Sequence, residues 1–97
     1  MNKCRNDGSS PIYIAAQNGH AECLQLLLAG GGDVNKCNNN GASPIYIAAQ
    51  EGHAECLQLL LASRADPRSS WKGTSALDTA RKRNHAECVR LLEAALV

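Results

Sequence analysis

The chain has 97 residues, 44% of them apolar, and no linker rich in proline or serine divides it, so we expect one small domain. Only 3% of the residues are aromatic and none is phenylalanine, which predicts thin core layers of Leu, Ile, Ala and Cys. No apolar run approaches the roughly 18 residues of a membrane span, and the net charge of +1 does not argue for a nucleic-acid partner. The polar start is unlike a signal peptide, and together these features predict a soluble protein of the cytoplasm or nucleus.

An internal repeat dominates the sequence. The stretch Ser10 to Ala29 returns as Ser43 to Ala62 with a single mismatch. A third, eroded copy runs from Ser75 to Ala94 and keeps the motif HAEC and a leucine pair. The first two copies are 33 residues apart and the last two are 32 apart, a period typical of repeat arrays rather than of folds with a single core.

Each copy predicts two short helices followed by an extended loop. In the first copy, Ser10 is a good N-cap and Pro11 suits the first helical position, so a helix should run from Pro11 to about Gln17. Gly19 should end it, because glycine accepts the left-handed conformation common after helices. A second helix from about Ala21 to Ala29 is too short to be stable alone. Its buried face is expected to hold Cys23, Leu24, Leu27 and Leu28.

The later copies depart from this unit in three places. Arg64 stands where the first copy has Gly31, which predicts a positive φ at a non-glycine residue and a cost of roughly 1 kcal/mol. The loop that follows, Pro67 to Lys72, is one residue shorter than its equivalent and is the least regular part of the array. The third copy ends its first helix in Arg81 to Asn84 without glycine and resembles a terminal, capping repeat.

Several of these positions carry a family resemblance. Ser43 to Ala49, Gly52-His53, and Gly31 with Asp33 to Asn35 resemble the ankyrin repeat, whose first helix reads T-P-L-H-x-A. Tyr46 replaces the histidine of that motif. The resemblance implies an all-α solenoid of three helix-turn-helix units joined by β-turn-like loops. The repeats would cover about 4–36, 37–68 and 69–97 of a single domain, 1–97.

A repeated His-x-x-Cys motif is the main candidate for chemistry. Interpreted as metal ligands, the three motifs would supply a row of His/Cys pairs along the stack, but zinc needs four ligands that converge on one point. We prefer the alternative in which cysteine is a small core residue and histidine bonds backbone in the turn between helices. The repetition also argues against a singular nucleophilic site, so neither enzyme activity nor a metal or cofactor is expected. The pairs are His20/Cys23, His53/Cys56 and His85/Cys88.

Two modifications stay open as alternatives. Cys4 and Cys37 lie in loop regions and are either tolerated small residues or exposed thiols that cross-link two molecules on oxidation. The spacing of Leu27 and Asp33 to Asn35 resembles that favoured by an asparaginyl hydroxylase of ankyrin-repeat proteins. We prefer the interpretation in which Asp33 and Asn35 brace the loop.

The resemblance implies that a partner binds the concave side, at the turn tips and along the first helices. Trp71 is either an exposed interface anchor or folded back over the adjacent helix. The basic run from Arg81 to Arg83 either attracts an acidic segment together with Lys72, or complements the dipole of its own helix. The candidate partner-binding residues are Asn6, Asp7, Asn39, Asn40, Gln50, Glu51, Trp71, Lys72, Lys82 and Arg83.

The expected function is a non-enzymatic protein-interaction module, either monomeric or weakly self-associating. Its partner would be a protein, with an acidic segment as one possibility, and neither a nucleic acid nor a membrane. The competing class is a consensus-like or engineered scaffold without a natural partner, which the near-identity of the first two copies favours.

Overall fold

The computed structural model describes residues 11–31, 34 and 42–96. Within these ranges the chain forms three pairs of helices, one pair for each copy of the repeat. A two-stranded antiparallel hairpin lies between the second pair and the third. The elements are α1 (Pro11–Asn18), α2 (Ala21–Ala29), α3 (Pro44–Glu51), α4 (Ala54–Ala62), β1 (Ser70–Trp71), β2 (Thr74–Ser75), α5 (Ala76–Lys82) and α6 (Ala86–Leu96).

The first helices of the second and third repeats begin at a serine cap, as predicted, whereas Ser10, the cap predicted for the first repeat, lies outside the described residues. Ser43 has an extended backbone, and its hydroxyl oxygen accepts a hydrogen bond of 3.2 Å from the backbone N–H of Tyr46. Ser75 caps α5 in the same way, accepting from the N–H of Asp78 at 3.0 Å. At the other end of α3, Gly52 has a φ of 76°, the left-handed conformation that terminates the helix.

The helices form two layers. The first helices α1, α3 and α5 pack side by side, and the second helices α2, α4 and α6 form the outer layer. Alanines make the close approach possible, because Ala16, Ala48 and Ala49 are completely buried between neighbouring first helices. The predicted all-α repeat solenoid is confirmed. Among the described helices, none combines the length and the apolar character that crossing a bilayer requires.

The predicted burial of the second helix was wrong for one residue of the first repeat. Leu24 is fully buried, but Cys23 is exposed and Leu27 and Leu28 are only half-buried. In α4 the equivalent Cys56 is buried, as are Leu57 and Leu60. The cause is position in the stack, because α4 packs between α2 and α6 whereas α2 packs against α4 alone in its layer.

The irregular loop after α4 is a tight hairpin. Lys72 and Gly73 form its two-residue turn with φ values of 53° and 79°, and such a turn needs positive φ at both positions. Arg64 has a φ of 72°, which confirms the left-handed conformation predicted from its alignment with Gly31. Asn84 has a φ of 61° and occupies the position that Gly52 holds in the second repeat.

Candidate partner-binding surface

Six of the ten candidate partner-binding residues lie in the described part of the chain. Gln50 and Glu51 form the carboxyl end of α3, and Lys82 and Arg83 form the equivalent end of α5. Trp71 and Lys72 lie on the hairpin. Glu51, Lys72, Lys82 and Arg83 are exposed, and Gln50 and Trp71 are half-buried. The other candidates, Asn6, Asp7, Asn39 and Asn40, lie outside the described residues, as do Cys4, Cys37, Asp33 and Asn35.

Two aromatic rings and one lysine form a cluster at the hairpin. The Trp71 ring meets the ring of Tyr46 edge to face, with the centroids 5.6 Å apart and the planes at 71°. Lys72 places its Nζ 4.7 Å from the centroid of the Trp71 ring, within the range of a cation–π contact. The structure therefore favours the alternative in which Trp71 folds back on the neighbouring helix, and it leaves the indole half-buried.

The basic end of α5 is partly neutralised within the third repeat. Arg81 pairs with Glu93 of α6, with 2.7 Å between Nη2 and the carboxylate oxygen, and with Asp78 at 3.9 Å. These groups are about half exposed, so the pairs contribute little stability, but they offset the charge of Arg81. Lys82 and Arg83 are exposed to solvent and make no ion pair with any described residue.

The histidines of the His-x-x-Cys motif join neighbouring repeats. The Nε2–H of His53 donates to the backbone carbonyl of Gln17 at 3.1 Å, and that of His85 donates to the carbonyl of Gln50 at the same distance. Bonding to backbone was predicted, but its acceptor in the preceding repeat was not. The bond from His85 brings the carboxyl end of α3, with Gln50, beside the turn that follows Arg83 at the end of α5.

The cysteines of the second and third repeats are core residues. Cys56 and Cys88 are each 1% exposed, and the Sγ of Cys56 lies 4.0 Å from the carbonyl oxygen of Ala15 in the preceding repeat. Burial raises the pKa of the Cys56 thiol, and Glu55 raises it further. Burial followed by Glu87 raises the pKa of Cys88 in the same way. Both shifts disfavour the thiolate that a nucleophile or metal ligand would need.

Metal ligands do not converge in the described part of the chain, where no group of three or more His, Cys, Asp or Glu side chains is placed to hold an ion. The three free cysteines there are spread along the stack, one in each repeat.

A family comparison agrees with this geometry. The family model described as ankyrin repeats (3 copies) matches residues 1–70. The chain belongs to the ankyrin-repeat family. The match ends in the hairpin, before the helices of the eroded third repeat. No curated protein matches the chain. Ankyrin repeats are generally protein–protein interaction modules and are typically non-enzymatic.

The equivalent cysteines of the three ankyrin repeats differ in exposure, and we expect them to differ in reactivity. We expect iodoacetamide to alkylate Cys23 several times faster than Cys56 or Cys88 in the folded protein, because Cys23 alone of the three is exposed. The raised pKa of the two buried thiols acts in the same direction. Peptide mapping after timed quenching measures the three rates, and equal rates in denaturant provide the control. Equal rates in the folded protein would contradict the observed burial.

The histidine contacts predict unequal effects of one substitution at equivalent positions. His85→Ala should lower the free energy of unfolding by roughly 1 kcal/mol, because the carbonyl of Gln50 loses its partner. The matched variant His20→Ala should change it by less than about 0.5 kcal/mol, because His20 is exposed. Urea unfolding followed by circular dichroism measures both, and equal losses would contradict the assignment of His85 to an inter-repeat bond.

Proposed function

We propose that the chain is a non-enzymatic interaction module that binds a protein partner on the concave surface formed by the turn tips and the first helices. The described residues of this surface are Gln50, Glu51, Trp71, Lys72, Lys82 and Arg83. The single observation that carries the proposal is the bond from His85 to Gln50, which holds the ends of two first helices side by side and presents their side chains together.

Positive charge on this surface supports an acidic segment as the partner. Lys82 and Arg83 are exposed and not ion-paired within the described chain, and Lys72 is exposed on the hairpin. From Arg64 onward the sequence has seven basic and four acidic residues, so the charge of the third repeat is positive. Complementary charge would accelerate association and make binding sensitive to salt.

In this proposal, Trp71 offers the partner an aromatic surface that is already held in place. Its ring is held between Tyr46 and Lys72, so little conformational freedom remains for a partner to restrict. An aromatic surface held in place in this way is a common energetic centre of protein interfaces.

A comparative pull-down tests the proposal. Lysate proteins captured by the unmodified chain are compared with those captured by Lys82→Glu/Arg83→Glu and by the control Arg68→Glu/Arg90→Glu. The control makes the same change in net charge at exposed positions that are not among the candidate partner-binding residues. We expect at least one protein to be lost with the first variant and retained with the second, and its binding to weaken as salt increases.

The alternative function, a consensus-like scaffold without a natural partner, makes the opposite prediction. It is favoured by the single mismatch between Ser10–Ala29 and Ser43–Ala62. If this alternative holds, no captured protein will distinguish the two double variants. The free thiols of Cys23, Cys56 and Cys88 support a cytoplasmic or nuclear location in either case, because reduced thiols persist there.

A further inference from the structure

The single mismatch between Ser10–Ala29 and Ser43–Ala62 falls at the carboxyl end of the first helix. Asn18 ends α1 and Glu51 ends α3, and glycine follows each of them. Both side chains are exposed, and so is Arg83 at the equivalent position of the third repeat. Because α3 packs between α1 and α5 and Glu51 is exposed all the same, exposure belongs to this position of the repeat and not to the end of the stack.

Asparagine followed by glycine is the pair in which a side-chain amide reacts most readily with the backbone. Gly19 has no Cβ to hinder the approach of its nitrogen to Cγ of Asn18. A bond forms between these two atoms, and the side-chain nitrogen leaves as ammonia with the proton of the Gly19 N–H. Water then opens the resulting succinimide ring at either carbonyl, which yields aspartate or isoaspartate.

The other repeats carry internal controls for this reaction. Glu51 is followed by glycine but is already an acid, so it has no amide nitrogen to release. Asn84 is exposed, but His85 follows it, and the histidine side chain hinders attack by the backbone nitrogen. Among the described residues, only Asn18 combines an exposed amide with a following glycine.

Contacts with the second repeat hold the reacting pair in place. The N–H of His20 donates to the carbonyl of Ala15 at 2.9 Å, a bond that spans the end of α1. His53 donates to the carbonyl of Gln17 at 3.1 Å, and its ring lies so close to Gly19 that an added Cβ would be 2.7 Å from Nδ1. Ring closure requires the backbone to leave the helical conformation, so the reaction proceeds from a locally opened end of α1.

We propose that Asn18 is a site of spontaneous deamidation in the folded protein, with water as the only co-reactant, and that the contact of His53 with the end of α1 sets the rate. Loosening of the interface between the first two repeats exposes the pair to reaction. The proposal concerns the chemistry of the chain itself and does not depend on the function proposed for the concave surface.

The two products differ in their effect on the stack. Aspartate leaves the main chain intact and supplies the acidic side chain that Glu51 carries at the equivalent position. Isoaspartate passes the main chain through Cβ and adds one atom between the end of α1 and Gly19. The bond from His20 to Ala15 and the contact of the His53 ring with Gly19 cannot both persist across this longer link.

Peptide mapping of the folded chain after incubation at mildly alkaline pH gives the first readout. Asn18 should convert to aspartate and isoaspartate several times faster than Asn84. The pair Asn40-Gly41 lies outside the described residues, and cleavage after Lys36 places it in a different tryptic peptide. The variant Asn18→Gln should remove the conversion at this position.

Two histidine variants test control by the interface. His53→Ala should accelerate the conversion of Asn18 several-fold, because the end of α1 loses its contact with the second repeat. The matched variant His85→Ala removes the same kind of bond from the interface between the second and third repeats and should leave the rate close to that of the unmodified chain. Circular dichroism verifies that both variants are folded.

The stability of the products gives an independent readout. In a chain that carries Asn40→Gln, the purified isoaspartyl form should unfold at a lower urea concentration than Asn18→Asp, which should unfold like its parent. The proposal is overturned if Asn18 in the folded chain reacts no faster than Asn84, or if His53→Ala and His85→Ala give the same rate. Equal stability of the isoaspartyl form and Asn18→Asp would also contradict it.

Discussion

Leu57→Ala should lower the free energy of unfolding by roughly 2–5 kcal/mol, the range found for fully buried leucines. Leu57 is 0% exposed and lies on α4, which packs against α2, α3 and α6. Truncation therefore leaves a cavity at the centre of the stack, where both neighbouring repeats limit its collapse. Guanidinium unfolding followed by far-ultraviolet circular dichroism measures the loss.

The control for this prediction is another leucine of the same repeated motif. Leu26 is 74% exposed, so Leu26→Ala should change the free energy of unfolding by less than about 0.5 kcal/mol. Comparable losses for the two variants would contradict the assignment of Leu57 to the shared core and point to a stability that depends on helix propensity instead.

Gly52→Ala should lower the free energy of unfolding by an amount on the order of 3 kcal/mol. Two effects add: alanine is strained at a φ of 76°, and its Cβ would come within 2.6 Å of the His85 ring. Displacement of the ring also breaks the 3.1 Å bond to the carbonyl of Gln50. Equilibrium unfolding in urea measures the total.

Gly73 separates the two effects. It has a φ of 79°, but a Cβ there would meet no atom within 4 Å, so Gly73→Ala should cost only the strain, about 1 kcal/mol. In the double variant Gly52→Ala/His85→Ala the clash is absent, and the losses should be less than additive. Equal costs at the two glycines would show that the histidine ring yields freely and that the inter-repeat contact is weak.

Local signals made the helices predictable. Serine and proline at the start of α3, and glycine after its end, act within a few residues of chain, and the structure confirms them. The left-handed conformation of Arg64 was predictable for the same reason, because alignment with Gly31 identifies the backbone position. Signals of this kind need no knowledge of distant neighbours.

Contacts between repeats were not predictable from those signals. The choice between two roles for Trp71 depended on whether a ring was available to pack against, and the Tyr46 ring that fills this role comes from the preceding repeat. The acceptor for His85 is likewise a backbone carbonyl, that of Gln50, which has no signature in side-chain sequence. Candidate residues on the concave surface were found through the family resemblance, and their part in binding stays a prediction.

The sequence by itself determined the repeat, its two helices and their boundaries, because capping residues, glycine and apolar spacing act locally. Only the tertiary structure decided which copy of an identical motif is buried. Cys23 and Cys56 lie in the same HAEC motif, yet one is exposed and the other is 1% exposed. The physical reason is that burial in a solenoid comes from the neighbouring repeat, and the first described helix pair has a neighbour on only one side.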